Sequence, residues 1–106
     1  MSSFCRALYA LLLASAAARP LIRNIRDQRE FDKLLKHHAD TTGLPVVVDF
    51  FSQSCGPCRM IAPAFKRLAQ EYEGRVVFAK AENTAPGVFA AAGVRSMPTF
   101  HFYGAP

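Results

Sequence analysis

Continuous apolar runs alternate along the chain with segments in which apolar residues recur every three or four positions. Val46–Phe51 is the clearest run, and its β-branched and aromatic side chains predict a buried central strand with both faces covered. Phe31, Leu34 and Leu35 have helical spacing and predict an amphipathic helix over residues 28–39. Both periods occur in one chain, which indicates a mixed α/β architecture.

Local signals at the ends of the segments set the order of the elements. Asp27 followed by Glu30 forms a capping box, which starts the first helix at Gln28. The other predicted elements are strands over residues 21–25, 75–81 and 99–103, a helix over 56–72, and a short helix capped by Thr84 and ending at Gly93. The order βαβαβαβ predicts a layered α/β sheet that is parallel at least in its first strands.

An apolar segment, Ala7–Ala18, precedes these elements and is flanked by Arg6 and Arg19. Its basic start and small residues are typical of a secretory signal, whereas arginines and serines without acidic residues are typical of a mitochondrial transit peptide. Leucine and alanine also favour an ordinary N-terminal helix. We therefore expect residues 1–19 to be a leader or N-terminal helix. The preferred destination is mitochondrial; the alternatives are a secreted or endomembrane lumen, or the cytoplasm if the leader is retained.

The charge distribution separates this segment from the rest of the chain. The 106 residues carry a net charge of +5, which alone would favour an anionic partner. Residues 1–26 hold four arginines and no acidic residue, whereas residues 27–106 hold nine basic and eight acidic residues. No nucleic-acid partner is expected, because no basic stripe interleaved with aromatic residues occurs. No stable membrane span is expected either, because no apolar run reaches about 18 residues.

Cys55-Gly56-Pro57-Cys58 is the strongest chemical signal, because two cysteines three positions apart open the second predicted helix. Unpaired N–H groups and the helix dipole favour negative charge at a helix N-terminus, so the Cys55 thiolate is expected to be favoured there. Cys58 lies one turn along, where it can attack a mixed disulfide formed by Cys55. Gly56 permits a tight approach, and Pro57 stiffens the first turn at little cost.

Three other interpretations of this cysteine pair are available. A structural zinc site needs two ligand pairs, and the chain offers only His37, His38 and His101 besides the cysteines, so no metal site is expected. A purely structural disulfide would close a very small loop and restrict the unfolded chain little. The pair can also be inert and reduced. The histidines are expected to be ordinary helix or strand residues, and Cys5 is expected to have no role.

Beyond the cysteine pair, the chain resembles the thioredoxin family over residues 21–106. Residues 46–65, VVVDFFSQSCGPCRMIAPAF, carry most of the resemblance, with Asp49 six residues before the first cysteine and Pro63 five after the second. Ser96–Thr99 carries the rest, because the family has a cis-proline before a threonine that faces the active site. The resemblance implies a three-layer α/β/α sandwich in a single domain over residues 20–106.

The resemblance also implies the catalytic residues. Cys55 would be the nucleophile and Cys58 the resolving cysteine. Asp49 is charged inside an otherwise apolar strand, and buried carboxylates of this kind have raised pKa values and cluster at functional sites. The resemblance makes it the proton acceptor for the resolving cysteine, with Lys80 its neighbour on the next strand. The alternative is that Asp49 only caps or bonds locally.

Client binding is likewise implied by the resemblance. Pro98, if cis, would lie beside Cys55 and keep metal ions from the two thiols, and the Met97 backbone would pair with an extended client segment. The substrate-binding residues are then Ser54, Gly56, Pro57, Met97, Pro98 and Thr99.

Two departures from the family pattern stand out. Ser54 occupies the position of a tryptophan, which removes an aromatic surface for clients. The family's last strand and C-terminal helix have no counterpart, so we expect a C-terminally truncated domain with an exposed edge strand and an open apolar face. Either Ala7–Ala18 covers that face or two chains pair there; the alternative is a truncated or alternative gene product.

These features favour a thiol–disulfide oxidoreductase that reduces protein disulfides through its Cys-Gly-Pro-Cys dithiol. Its partners would be disulfide-containing client proteins and a thioredoxin reductase or glutathione system, and no cofactor is expected. The alternative is a redox-inactive thioredoxin-like binding module or truncated pseudo-domain. An oxidase or isomerase of a secretory compartment is the third hypothesis.

Overall fold

A computed structural model describes residues 3–8 and 20–104 of the chain. Residues 3–8 are helical and solvent-exposed. Most of the predicted apolar segment Ala7–Ala18, and with it the leader hypothesis, lies outside the described residues. Within the described ranges, no helix combines the length and apolar character needed to cross a membrane.

Eight elements follow residue 20. They are β1 (Ile22–Ile25), α1 (Gln28–His37), a π-helical turn (His38–Thr42), β2 (Val46–Phe51), α2 (Gly56–Glu71), β3 (Val77–Glu82), α3 (Val88–Ala92) and β4 (Thr99–Tyr103). The predicted order βαβαβαβ is confirmed.

The four strands form one sheet in the spatial order β1-β3-β2-β4. β3 lies parallel to both β1 and β2, and β4 lies antiparallel to β2. Central position explains the composition of β2, in which all residues from Val46 to Phe50 are buried. A parallel centre buried by helices on both faces requires such a continuous apolar strand.

The start of α1 follows the predicted capping pattern. Asp27 has extended backbone, and its carboxylate accepts a hydrogen bond of 2.8 Å from the N–H of Glu30. Glu30 reaches back one residue further than a capping box requires and accepts a 2.9 Å bond from the N–H of Arg26. The helical backbone does not continue as α-helix to residue 39, because a π-helical turn takes over at His38 and ends at Gly43.

The short third helix begins later than predicted. Thr84 does not cap it; α3 starts at Val88 after Gly87, whose φ of 73° lies in the left-handed region. Pro86 explains the delay, because a residue before proline is driven away from helical backbone. The third strand is also displaced, and spans Val77–Glu82 instead of residues 75–81.

Helices cover both faces of the sheet, which confirms the three-layer α/β/α sandwich. On the α1 face, helices α1 and α3 pack on the sheet around Phe31, Val48, Phe50 and Val88. On the α2 face, helix α2 is the only helix of residues 20–104 that packs on the sheet, and the buried cluster there is Val47, Phe65, Ala69 and Phe78.

Candidate dithiol site

The carboxyl end of β2 delivers the chain to the N-terminus of α2, where Cys55 is the N-cap residue. Its backbone is extended, and its Sγ accepts a 3.1 Å hydrogen bond from the N–H of Cys58. Pro57 occupies the first turn, where no backbone donor is needed. One of the unpaired N–H groups of the helix start therefore points at the first cysteine sulfur, a geometry that favours negative charge on that sulfur.

Cys55 and Cys58 are joined in a disulfide, with their Cα atoms 5.2 Å apart. Their exposures differ: Cys58 is buried at 4% exposure, whereas Cys55 is partly exposed. The first sulfur is therefore open to the surroundings, while the second is enclosed behind it. An added Cβ at Gly56 would meet no atom within 4 Å, so the expected tight approach at that glycine does not occur among the described residues.

A second loop completes the site from the start of β4. The Met97–Pro98 peptide bond is cis, and the Met97 carbonyl oxygen lies 3.6 Å from Cys55 Sγ. Thr99 holds the same loop by donating a 2.6 Å hydrogen bond from its hydroxyl to the carbonyl of Ser96. The fold therefore brings together two segments 42 positions apart in sequence, and the carbonyl of Met97 faces the outer sulfur.

Asp49 lies in the middle of β2 and is buried at 6% exposure. Its Oδ1 atom has no hydrogen-bond partner among the described residues. Burial raises the pKa of this carboxyl to about 6, and the nearby positive charge of Lys80 lowers it by a smaller amount. A carboxyl with such a pKa exchanges its proton near neutral pH, as a proton acceptor requires.

Lys80 is directly opposite Asp49 in the β2–β3 register. Its ammonium nitrogen lies 5.6 Å from the centroid of the Phe51 ring, an arrangement that permits a cation–π interaction. The structure thus shows the expected neighbour relation between the two residues. The positive charge of Lys80 lowers the pKa of the Asp49 carboxyl, while the contact that the structure describes for the Lys80 ammonium group is with the Phe51 ring.

Two serines support the cysteine loop; Ser54 was predicted as a site residue, whereas Ser52 was not. The N–H of Ser54 donates to Ser52 Oγ over 3.3 Å, and the two hydroxyls are 3.0 Å apart. The N–H of Cys55 donates to the carbonyl of Ser52 over 3.2 Å. Ser52 is buried and Ser54 is exposed, so the buried residue anchors a turn whose exposed residue borders Cys55. The sequence signal that could have found Ser52 is a serine two positions before another, just ahead of a helix start.

Of the three histidines considered as zinc ligands, His37 and His38 lie together, with their ring centroids 4.8 Å apart. His38 is buried in the π-helical turn, where its Nδ1 lies 2.7 Å from the hydroxyl of Thr42. His101 lies on β4 with its Nδ1 3.0 Å from the Tyr103 hydroxyl. Within the ranges that the structure describes, no group of three or more His, Cys, Asp or Glu side chains is arranged to hold a metal ion.

The fold and the site define an α/β protein with a helix-capping Cys-x-x-Cys pair opposite a cis-proline loop. The thioredoxin family profile matches residues 23–105, and the chain belongs to this family. A thioredoxin H-type of Chlamydomonas reinhardtii is 52% identical over 60 residues, which cover 56% of this chain and 53% of the relative. The match thus spans about half the length of that relative.

Solved structures agree with this membership. A thioredoxin of Fasciola hepatica superposes with a TM-score of 0.72 at 38% identity, covering 78% of this chain and 77% of that protein. The mitochondrial thioredoxin 3 of Saccharomyces cerevisiae superposes with a TM-score of 0.69 at 30% identity, covering 79% of this chain and 74% of the other.

Proposed function

We propose that this chain is a thiol–disulfide oxidoreductase that reduces protein disulfides through Cys55 and Cys58. The observation that carries the proposal is the asymmetry of the pair. The partly exposed sulfur of Cys55 accepts an N–H at a helix start, and the buried Cys58 lies one turn behind it. Such a pair can form a mixed disulfide with a client and then resolve it.

The reaction begins with the reduced pair. The Cys55 thiolate attacks one sulfur of a client disulfide, forms a mixed disulfide and releases the other client sulfur as a thiolate, which takes up a proton. Cys58 then loses its proton and attacks Cys55 Sγ, which releases the second client sulfur. The products are a client dithiol and the Cys55–Cys58 disulfide, so two electrons pass from this protein to the client.

Asp49 is the acceptor that we assign to the proton of Cys58. Its support is the buried position, the Oδ1 atom without a described partner, and the pKa of about 6. The carboxylate form takes the proton during resolution, and Lys80 favours that form by its charge. The burial of Asp49 and the positive charge of Lys80 support this role. The position of Asp49 in the sequence also matches that of the proton acceptor in the family.

The client would lie across the two loops that meet at the outer sulfur. Met97 offers its backbone to an extended client segment, in the manner of an added strand. Pro98 and Thr99 hold that backbone beside Cys55, while Ser54, Gly56 and Pro57 border the sulfur from the other side. No large aromatic side chain stands at Ser54, so main-chain pairing carries a larger share of client binding.

Regeneration needs an external reductant, because each turnover leaves the disulfide that the structure contains. A thioredoxin reductase or a glutathione system is the partner class that supplies two electrons to such a pair. The proposed compartment is the mitochondrion, supported by the acid-free, arginine-bearing residues 1–19. Imaging of the full chain with a C-terminal tag, together with its intact mass, tests this compartment; a secretory or cytoplasmic location would contradict it.

The reaction is tested with two matched variants. C58S should trap clients as mixed disulfides through Cys55, because attack occurs and resolution does not. C55S should trap none and should lose insulin reduction. Insulin reduction is measured by turbidity and trapping by non-reducing electrophoresis.

The same experiment separates the alternative, a redox-inactive binding module. Ser54 favours that alternative, because a serine at this position lacks the aromatic ring that would contact a client. A binding module would retain its partner in C55S and would show no turnover in the wild-type chain, and that result would overturn the proposed activity.

A further inference from the structure

One buried serine holds the turn between β2 and α2 through both its side chain and its backbone. Ser52 is the first residue after β2, and it is 5% exposed. Its Oγ atom accepts a 3.3 Å hydrogen bond from the N–H of Ser54 and lies 3.0 Å from the Ser54 hydroxyl. Its carbonyl oxygen accepts a 3.2 Å bond from the N–H of Cys55. Ser52 therefore binds the backbone of both residues that end the turn.

The strand end from which this turn starts is itself fixed to the sheet. The carbonyl of Phe51, the last residue of β2, accepts a 2.9 Å hydrogen bond from the N–H of Asn83 just after β3. A serine hydroxyl that accepts the N–H two positions ahead defines the backbone between them, as in the turns that serine and threonine favour. The position of β2 is thereby passed on to Cys55.

The sulfur at the end of the turn lies between groups that belong to two other parts of the fold. Cys55 Sγ accepts a 3.1 Å hydrogen bond from the N–H of Cys58 on α2, and it lies 3.6 Å from the carbonyl oxygen of Met97 in the cis-proline loop. The sulfur meets both groups only while Cys55 keeps its backbone at the helix start. A shift of Cys55 would change both distances at once.

From these contacts we propose that Ser52 is a positioning residue of the dithiol, which holds the Cys55 sulfur between the Cys58 N–H and the Met97 carbonyl. Ser52 acts through the backbone of residues 54 and 55. A thiolate that is already in place needs no rearrangement before it attacks a client disulfide. This role rests on the proposed function, because it belongs to the first step of that reaction, and it names the residue that keeps the nucleophile ready.

The chain offers a matched hydroxyl at the other end of the same strand. Thr42 Oγ1 accepts a 3.2 Å hydrogen bond from the N–H of Leu44, two positions ahead, and lies 2.7 Å from Nδ1 of His38. Thr42 and Ser52 thus make the same two kinds of contact, one before β2 and the other after it. If Ser52 only stabilised its turn, loss of either hydroxyl should leave the reactivity of Cys55 unchanged.

Alkylation of Cys55 by iodoacetamide in the reduced full chain tests the role without a client or a reductase. Site-resolved mass spectrometry of the cysteine peptide measures the rate. S52A should slow the reaction about threefold to tenfold, which is part of what the loss of one hydrogen bond to a charged group costs. The pH profile of the rate should also move to higher pH, because the Cys55 thiolate is held less well against the Cys58 N–H.

Two further variants separate positioning from general loss of stability. T42A removes the matched hydroxyl and should alkylate at the wild-type rate with the wild-type pH profile. S52T keeps an oxygen at the Oγ position and should recover most of the rate that S52A loses. Urea denaturation at the same pH checks that all three variants are folded under the conditions of the rate measurement.

Three results would overturn the role of Ser52: an S52A variant with the wild-type rate and pH profile, equal slowing in T42A and S52A, or a loss that S52T does not recover. Insulin reduction, measured in parallel, distinguishes this failure from failure of the proposed function. Normal insulin reduction with unchanged alkylation in S52A would remove the positioning role and leave the function. Slowed alkylation in S52A, in a chain that does not reduce insulin, would support the positioning role and remove the function.

Discussion

The two faces of the sheet use the same kinds of side chain for different purposes. On the α1 face, two helices enclose a cluster in which Val48 and Phe50 have no exposed surface. On the α2 face, the one helix that residues 20–104 supply leaves Leu68 and Phe102 open, yet the same helix begins at the dithiol. Tight packing is therefore concentrated on one face, while the dithiol belongs to the helix on the other.

The residues of β2 show how one strand serves both faces. Successive side chains of a strand point to opposite sides, so Val48 and Phe50 enter the α1-face core while Asp49 turns to the α2 face. The comparison predicts that substitutions on the two faces separate loss of stability from loss of activity.

The largest effect is expected at Phe50. Its ring contacts those of Phe89 and His101 at centroid distances of 5.3 and 4.9 Å, and it has no exposed surface. F50A should lower the free energy of unfolding by about 4 kcal/mol through lost burial and the cavity that remains. Urea denaturation of the oxidised protein measures this. A loss below about 1 kcal/mol would show that the α1 face is not the stabilising one.

A smaller effect, of opposite sign, is expected at Asp49. Its folded pKa of about 6 exceeds the ordinary value of 3.8, so the contribution of the protonated carboxyl to stability is complete below pH 3.8 and is lost as pH rises through 6. The free energy of unfolding of D49N should therefore be about 2 kcal/mol higher than that of wild type at pH 8, and the two should be equal at about pH 3. Denaturation of the oxidised forms measures this difference without thiol titration.

The same variant should slow turnover, because an amide cannot accept the Cys58 proton. Single-turnover kinetics should show normal formation of the mixed disulfide and slower resolution. A stabilised D49N with unchanged resolution would separate the buried carboxyl from the proposed chemistry.

The substitution S54W should strengthen client binding by about 1 kcal/mol and change the free energy of unfolding little. S54W adds an exposed ring beside Cys55, and aromatic contacts contribute about this amount. The KM for insulin should fall about threefold to tenfold with kcat nearly unchanged. S54A is the matched control, since it removes only the hydroxyl that meets Ser52. Equal effects of both substitutions would assign the change to the serine turn.

The smallest effect is expected at Phe102, the exposed counterpart of Phe50. F102A should change the free energy of unfolding by no more than about 0.5 kcal/mol, because the ring is 80% exposed. The two phenylalanine-to-alanine variants thus compare one residue type on the two faces. A loss above about 2 kcal/mol would show that the α2 face is packed more tightly than its exposure indicates.

Strand and helix order could be predicted because each buried element has a strong period. The structure contains both the strand predicted from the run Val46–Phe51 and the helix predicted from Phe31, Leu34 and Leu35. The start of α3 could not be predicted from Thr84 alone, because Pro86 and Gly87 compete with that cap. The π-helical turn at residues 38–42 has no distinct sequence pattern that could have predicted it.

Site prediction shows the same division between local and distant information. The cysteine pair and the cis-proline loop are visible as motifs, and the sheet brings them together as the family resemblance implied. Ser52 was missed because its role depends on burial, which the local sequence does not show. Lys80 was correctly predicted to neighbour Asp49. Its contact with the Phe51 ring could not be predicted, because it depends on the conformation of the lysine side chain in the folded protein.

The strand order β1-β3-β2-β4 has a consequence for how the chain can be divided. Every strand pairing includes β3 or β4, and both begin after residue 76. A single cut in the loop between α2 and β3 would leave β1 and β2 in one fragment and β3 and β4 in the other. Neither fragment would hold two adjacent strands, so no ladder could form until the two halves recombine, with Cys55 on one and the Met97 carbonyl on the other.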